Sequence, residues 1–393
     1  MPRIRRADIV AFRIDAHNLG DRLPPAAVTD AAGACGVQDT PPGSAAVALH
    51  ARVRDLTAEA LDDLIRHRKT LLRSWCMRGA PYLFPTADTA VFTTGVLPDD
   101  EPARRALLQG VEEALRTLDM DLEDAVARTS AQLRPVLGGS RLAIGELGAQ
   151  IAARIAPGLP KTQRERWQAE GPYARGQPLG EGVVHFCLRI LTLRRELCFA
   201  PRQGNQAPFV LLDEWLDTPP PDPAPDTAKA ELARRYLRCH GPATPAGLAS
   251  WLGVPDPAPW WRLIAPELHS VETDNGERWL LATDLDALRS PPPPSGVRLL
   301  PPHDPYTQLH DRETAVPDRT RHRAIWRSLH APGTVLADGE LVATWRSRKQ
   351  GKTLAVEITP FTPIPTPHRR TIESEAQTLA TLRGHPNATV TFT

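Results

Sequence analysis

The 393-residue sequence has no apolar run near the roughly 20 residues of a membrane-spanning helix, which argues against a helical membrane protein. It has almost no excess of charge, with 47 Lys and Arg against 46 Asp and Glu. That balance speaks against indiscriminate adhesion to nucleic acid, yet leaves room for a local basic stripe. Its five cysteines (Cys35, Cys76, Cys187, Cys198 and Cys239) are scattered, odd in number and never in a Cys-x-x-Cys pair. Reduced thiols are expected, with no zinc site, no other metal and no cofactor. No Gly-rich phosphate loop and no Ser-His-Asp order is present, so nucleotide hydrolysis and triad chemistry have no signal. The start, MPRIRRADIV, is basic without the apolar core of a secretory leader. A soluble, cytoplasmic protein without a membrane partner is the expectation.

Proline is what the chain has in abundance. Two proline-rich breaks, DTPPPDPAPDT at 217–227 and SPPPPSG at 290–296, suit neither helix nor central strand and read as connectors. The piece between them shows its order plainly. A helix over 228–241 is followed by a second, with Thr244 as N-cap, Pro245 at its first position and Gly253 as its stop. A third helix fits PAPWWRLIAPEL, and two short strands flank Asp274-Asn275-Gly276. Three helices and a hairpin make the winged-helix order. It recurs upstream, with strands at LLRSWCM and PYLFP around Arg78-Gly79, and at LCFAP and APFVLL around RQGNQ. A tail of three antiparallel strands (333–361) and a last helix, RRTIESEAQTLATL, completes the chain. The predicted fold class is α+β: three tandem winged-helix modules around a channel, at 1–98, 99–216 and 228–289, and a β-rich C-terminal domain at 296–393.

In a winged helix the third helix enters a groove and the wing touches the backbone. The first module places Arg66, Arg68 and Lys69 at the end of that helix and Arg78 at the wing tip. The second offers Arg194 and Arg195 on its helix, near Arg189, and Arg202 on its wing. The third has only Arg262 beside the core-like Trp260 and Trp261, so it reads as scaffold. Arg346, Arg348 and Lys349 on the tail hairpin could grip a backbone, or could be charges that keep an edge strand soluble. The bland reading of every basic cluster is a solvated face.

One polar triplet stands out: Gln38-Asp39-Thr40, directly before Pro41-Pro42-Gly43-Ser44 and a helix-like run. Asp39, Thr40 or Ser44 could simply cap that helix. The pair His303-Asp304 looks catalytic, but its neighbour Pro305 favours a turn. His185 lies on an apolar helix face and reads as a core or channel-lining residue.

With GVQDTPPGSAAVALHARV near its start, SWCMRGAPYLFP after it, RRYLRCHGPATPAGLASWLGV in the middle and LLPPHDPYTQLHDR later, the sequence resembles the bacterial winged-helix proteins of the AlkZ/YcaQ-like superfamily of DNA glycosylases. The resemblance implies three winged helices around a DNA-binding channel and excision of alkylated purines, especially N7-substituted, bulky or cross-linked ones. It also implies DNA repair or self-resistance in producers of DNA-alkylating compounds. The family's catalytic signature, Gln-x-Gln or Gln-x-Asp, falls on Gln38 and Thr40, with Asp39 at its usually apolar middle. Where the family's first wing often carries a His, this chain has Tyr82, expected near the DNA.

A cationic N7-alkylpurine departs without a strong general acid, so the chemistry needs mainly a positioned water and a stabilised oxocarbenium-like centre. Gln38 would orient the water, Asp39 would add base catalysis or electrostatic stabilisation, and Thr40 would bind the water or a phosphate. The expected protein is a monomeric, nucleoid-associated glycosylase acting on damaged double-stranded DNA. The alternative is a non-catalytic winged-helix DNA-binding protein, a regulator or a lesion-shielding factor.

Overall fold

In a computed structural model of the chain, which describes residues 3–204 and 206–393, the hairpins of the first two units are not separate. They join in one five-stranded sheet. Its strands are β1 (Val37–Gln38), β2 (Leu71–Trp75), β3 (Pro81–Pro85), β4 (Leu197–Phe199) and β5 (Phe209–Leu211), in the order β1-β3-β2-β4-β5. The join is the pairing of Arg73 on β2 with Phe199 on β4. Behind it, Trp75, Phe199 and Phe209 form an aromatic cluster with ring centres 4.6–5.2 Å apart.

Local chemistry sets the helix boundaries. Thr57 caps the helix Ala58–Arg66 by accepting from the Ala60 amide at 3.1 Å. Thr244 does the same for Pro245–Leu252, which Gly253 ends in a left-handed conformation. The helices Glu101–Leu107 and Val111–Leu118 are separated where Gly110 takes φ +96°. The helix Leu122–Leu137 carries Pro135 in its last turn, and that proline masked it in the sequence. The first connector is shorter than its composition suggests. The helix that follows runs Pro225–His240 with Pro225 at its first position, where a missing N–H costs nothing.

The third unit closes with β6 (Leu268–Thr273) and β7 (Gly276–Leu281), paired antiparallel. An N-terminal helix, Arg6–Ala16, packs Ile9 and Phe12 against Val271, Leu280 and Leu288 of that unit. Its Val10 and Ile14 meet Leu300, Tyr306 and Leu336 of the C-terminal part. Residues 3–16 thus sit beside the third unit and the C-terminal part. A single core then ties the first and third units together: Tyr82, Phe84 and Phe92 share it with Leu232, Tyr236, Trp251 and Trp260.

The C-terminal sheet has two strands more than the three expected. It contains β8 (Val297–Leu300), β9 (Gly333–Ala337), β10 (Glu340–Gln350), β11 (Thr353–Pro360) and β12 (Asn387–Phe392), in the order β12-β11-β10-β9-β8. β12 pairs parallel to β11, reached through the helix Thr366–Leu382. That helix buries Ile372, Ala376 and Leu379 on the sheet, at roughly 1.5–3 kcal/mol for each large apolar side chain removed from water. No helix among the described residues is long and apolar enough to cross a membrane.

Candidate active site

Gln38 is on the two-residue edge strand β1, directly opposite Tyr82 on β3. Its side-chain oxygen Oε1 accepts from Gln308 Nε2 at 2.9 Å, with Arg78 Nη2 3.2 Å and the Tyr82 hydroxyl 3.3 Å away. Converging donors fix the amide's orientation: oxygen inward, NH2 outward. No hydrogen bond from that nitrogen is present among the described residues, and Gln38 is 7 % exposed. Gln38 thus keeps a free donor, with its acceptor held by Gln308.

The partners hold one another as tightly. Arg78 Nη2 donates to the Tyr82 hydroxyl at 2.5 Å and to Gln308 Oε1 at 2.8 Å, and Nη1 donates to the Trp251 carbonyl. Tyr82 lies 3.0 Å from Gln308 Oε1, the nearer acceptor for its single proton. Burial pushes the Tyr82 hydroxyl up to about 12, so it stays protonated and donating. Gln308 is oriented in turn by donating to the His303 carbonyl at 2.9 Å. Arg78 has φ +55° and Gly79 φ +64° at the turn between β2 and β3. A Cβ on Gly253 would lie 2.8 Å from Arg78 Cγ, so glycine there lets the third unit approach the turn this closely.

The cluster borders a cleft of about 340 Å³ between this turn, the third unit and the C-terminal part. Its walls include Arg78, Trp251, His303, Gln308, Arg312 and Trp326. Burial, and then the Arg78 charge, lowers the His303 pKa and favours a neutral ring.

The rest of the triplet behaves differently. Asp39 is 1 % exposed. Its Oδ1 accepts from the backbone amides of Gly43 and Ala45 at 2.8 and 3.2 Å, at the start of the helix Ser44–Arg52. Its Oδ2 lies 3.0 Å from Arg73 Nε, a charge contact rather than an aligned hydrogen bond. Of the alternatives open in the sequence, capping is what this carboxylate does, from outside the helix rather than at the N-cap, which is Gly43. Thr40 is half-buried, and its hydroxyl has no partner among the described residues. Asp304 pairs with Arg52 through two 2.8 Å bonds, both residues fully buried, and its Oδ1 also accepts from the Tyr306 amide. It is a structural turn, as Pro305 suggests.

The basic candidates divide into occupied and available groups. Arg66 pairs with Asp62, Lys69 with Asp217, Arg194 with Glu123 and Arg195 with Asp222. Arg346 donates to the His330 carbonyl at 2.5 Å. Arg202, with an interaction partner of its own, lines a hollow with Trp75, Phe199 and Phe209. Arg68, Arg348 and Lys349 are exposed with no protein partner among the described residues. Tyr82, expected at the DNA surface, is fully buried, because its register opposite Gln38 turns it into the site wall.

One residue of the site carries no local sequence signal, and a basic residue already noted in the second module stands close by. Gln308 is brought in from 270 positions away; it lies within LLPPHDPYTQLHDR, a segment that carries the family resemblance. Arg189 stands beside Gly79, with its guanidinium 5.7 Å from the Trp75 ring centre and 5.3 Å from that of Phe186. Its Nε is buried without a hydrogen-bond partner, and burial lowers its pKa.

The site is thus a glutamine held by Arg78, Tyr82 and Gln308 beside a cleft in a mixed helix–sheet chain. The AlkZ-like DNA glycosylase family matches residues 31–382, and the chain belongs to that family. An interstrand DNA cross-link repair glycosylase of Streptomyces sahachiroi is 27% identical over 209 residues, 50% of this chain and 54% of that protein. The matched stretch spans about half the length of that relative. The solved structure of Streptomyces sahachiroi DNA glycosylase AlkZ shares the fold, with a TM-score of 0.76 and 21% identity over 100% of both chains.

Proposed function

We propose that this protein hydrolyses the N-glycosidic bond of alkylated purines in duplex DNA, with N7-substituted and bulky or cross-linked bases as the substrate class. The observation that carries the reading is the Gln38 amide: its oxygen is held by Gln308 Nε2 within the Arg78–Tyr82–Gln308 cluster that borders the cleft, and its NH2 has no hydrogen-bond partner among the described residues. Such a group holds the oxygen of a water, or a sugar oxygen, without removing a proton. A cationic leaving base asks for little more, because the oxocarbenium-like centre captures a well-placed water. Tyr82, Arg78 and Gln308 act through Gln38 by fixing its amide.

Asp39 has its carboxylate committed to a helix start and to Arg73, so its role in this reading is to shape the loop that carries Gln38. Thr40, half-buried with a free hydroxyl, remains the candidate for a phosphate or water contact. Arg68, Arg348, Lys349 and the unpaired Arg189 are the groups best suited to DNA phosphates, with DNA lying along a channel past the first wing. Membership of the family and the repair role in the printed name of the Streptomyces relative support this substrate class.

The test is release of base from duplex DNA carrying N7-alkylguanine, scored as abasic sites. Gln38→Ala is expected to lower the single-turnover rate by about 10²-fold or more, in the range for removing one positioned transition-state donor. The second reading, a DNA-binding protein without chemistry, draws on the absence of a second amide or a free carboxylate in the triplet. Salt-sensitive binding to alkylated DNA with no abasic sites from the folded native protein would select it.

A further inference from the structure

A buried cluster away from this cleft holds three soft donors. His17 follows the N-terminal helix, Cys35 follows the short helix Val28–Gly33, and Cys239 lies near the end of Pro225–His240. Their ligating atoms all lie within 4.8 Å of one another, and Cys35 Sγ is 4.0 Å from His17 Nδ1. In a tetrahedral zinc site the corresponding edges are about 3.6–3.8 Å, given Zn–S near 2.3 Å and Zn–N near 2.0 Å. Shifts of well under 1 Å per side chain would close the set.

Unpaired polar atoms point the same way. His17 Nε2 and both ring nitrogens of His240 are buried with no hydrogen-bond partner, and the two rings are 5.1 Å apart. Three such atoms on two adjoining rings leave donors and acceptors there for a ligand. Charge permits one. The nearby Arg52 and Arg13 are each matched by a carboxylate, Asp304 and Asp311. Two thiolates would neutralise a divalent cation, so no net charge is buried. A hydrogen bond to Cys239, and then burial, pushes the Cys35 thiol up, so the thiolates form only as the cation displaces their protons. A route exists as well: a hollow of about 680 Å³ is lined by Ala16, Ala34 and Cys239, each a ligand or the neighbour of one.

We propose that His17, Cys35 and Cys239 bind a divalent cation of zinc type. The ion ties the end of the N-terminal helix, the segment three residues before Gln38 and the long helix of the third unit into one rigid corner. Binding is Zn2+ plus two thiols giving a neutral bis-thiolate and two protons, with no redox step. The assignment does not depend on the glycosylase reading.

Full-length protein purified without chelator is expected to carry about one zinc per chain by elemental analysis, and none in the Cys35→Ser, Cys239→Ser double variant. Chelator-stripped native protein titrated with cobalt(II) is expected to develop a thiolate-to-cobalt charge-transfer band at one equivalent. This second readout stands even if the double variant fails to fold. Metal-free native protein that shows no such band overturns the proposal. So does a band that survives in the double variant, or a Cys35–Cys239 disulfide in non-reduced native protein.

Discussion

Gln38 and Asp39 are neighbours with opposite fates, because alternate side chains of an extended segment leave on opposite sides. Gln38 meets Tyr82, Arg78 and Gln308, while Asp39 meets the Gly43 and Ala45 amides and Arg73. The account therefore separates the two by substitution. Asp39→Asn keeps an acceptor for the helix start but leaves the Arg73 charge buried and unpaired, at a cost of about 3 kcal/mol. Urea denaturation should show that loss, while base release per folded molecule stays near native. A large rate loss without a stability loss would instead make Asp39 a reacting group. A second titration belongs to this scale. Burial, and then the Arg22 charge, lowers the His50 pKa from 6.5 to about 4. Between those values the unfolded chain holds one proton more, so stability present above pH 6.5 declines on acidification by about 1.4 kcal/mol per pH unit. Denaturation midpoints across this window should show that component, and His50→Gln should remove it.

At the scale of elements, the β10–β11 hairpin is the clearest case. Its tip carries Arg348 and Lys349, exposed and unpaired, while the neighbouring Arg346 is tied to the His330 carbonyl. If the hairpin lies on DNA, Arg348→Ala with Lys349→Ala should flatten the dependence of log Kd on log salt by nearly two units, about 0.9 per lost phosphate contact. An unchanged slope would make the hairpin a solvated edge. Hairpins and capped helices such as these were legible in the sequence because their signals are local: Asp338-Gly339, Asn275-Gly276, Thr244 with Gly253. Elements whose existence depends on distant partners were not. β1 has two residues and exists only against β3, and β12 adds parallel to β11 after a helical crossover. The helix Leu122–Leu137 carries an internal proline, Pro135, whose missing N–H leaves one carbonyl of the preceding turn without its helical partner.

For the whole molecule, the first and second units share a sheet, the first and third share a core, and the N-terminal helix bridges the third unit and the C-terminal part. The cleft beside Gln38 exists only because these joins bring Arg78, Trp251 and Gln308 together. Gln38, Arg78 and Tyr82 of this cluster lie in segments marked by the sequence, but no spacing rule connects Gln38 to Gln308, or His17 and Cys35 to Cys239. Absence of a Cys-x-x-Cys pair excludes only the zinc sites built from adjacent ligands. The measurement that bears most directly on the account is single-turnover release of N7-alkylguanine from duplex DNA by the native protein and Gln38→Ala, with DNA affinity measured alongside. The account predicts abasic sites from the native protein, a loss of about 10²-fold or more in the variant, and similar affinity for both. Equal rates from native protein and a folded Gln38→Ala variant would contradict it.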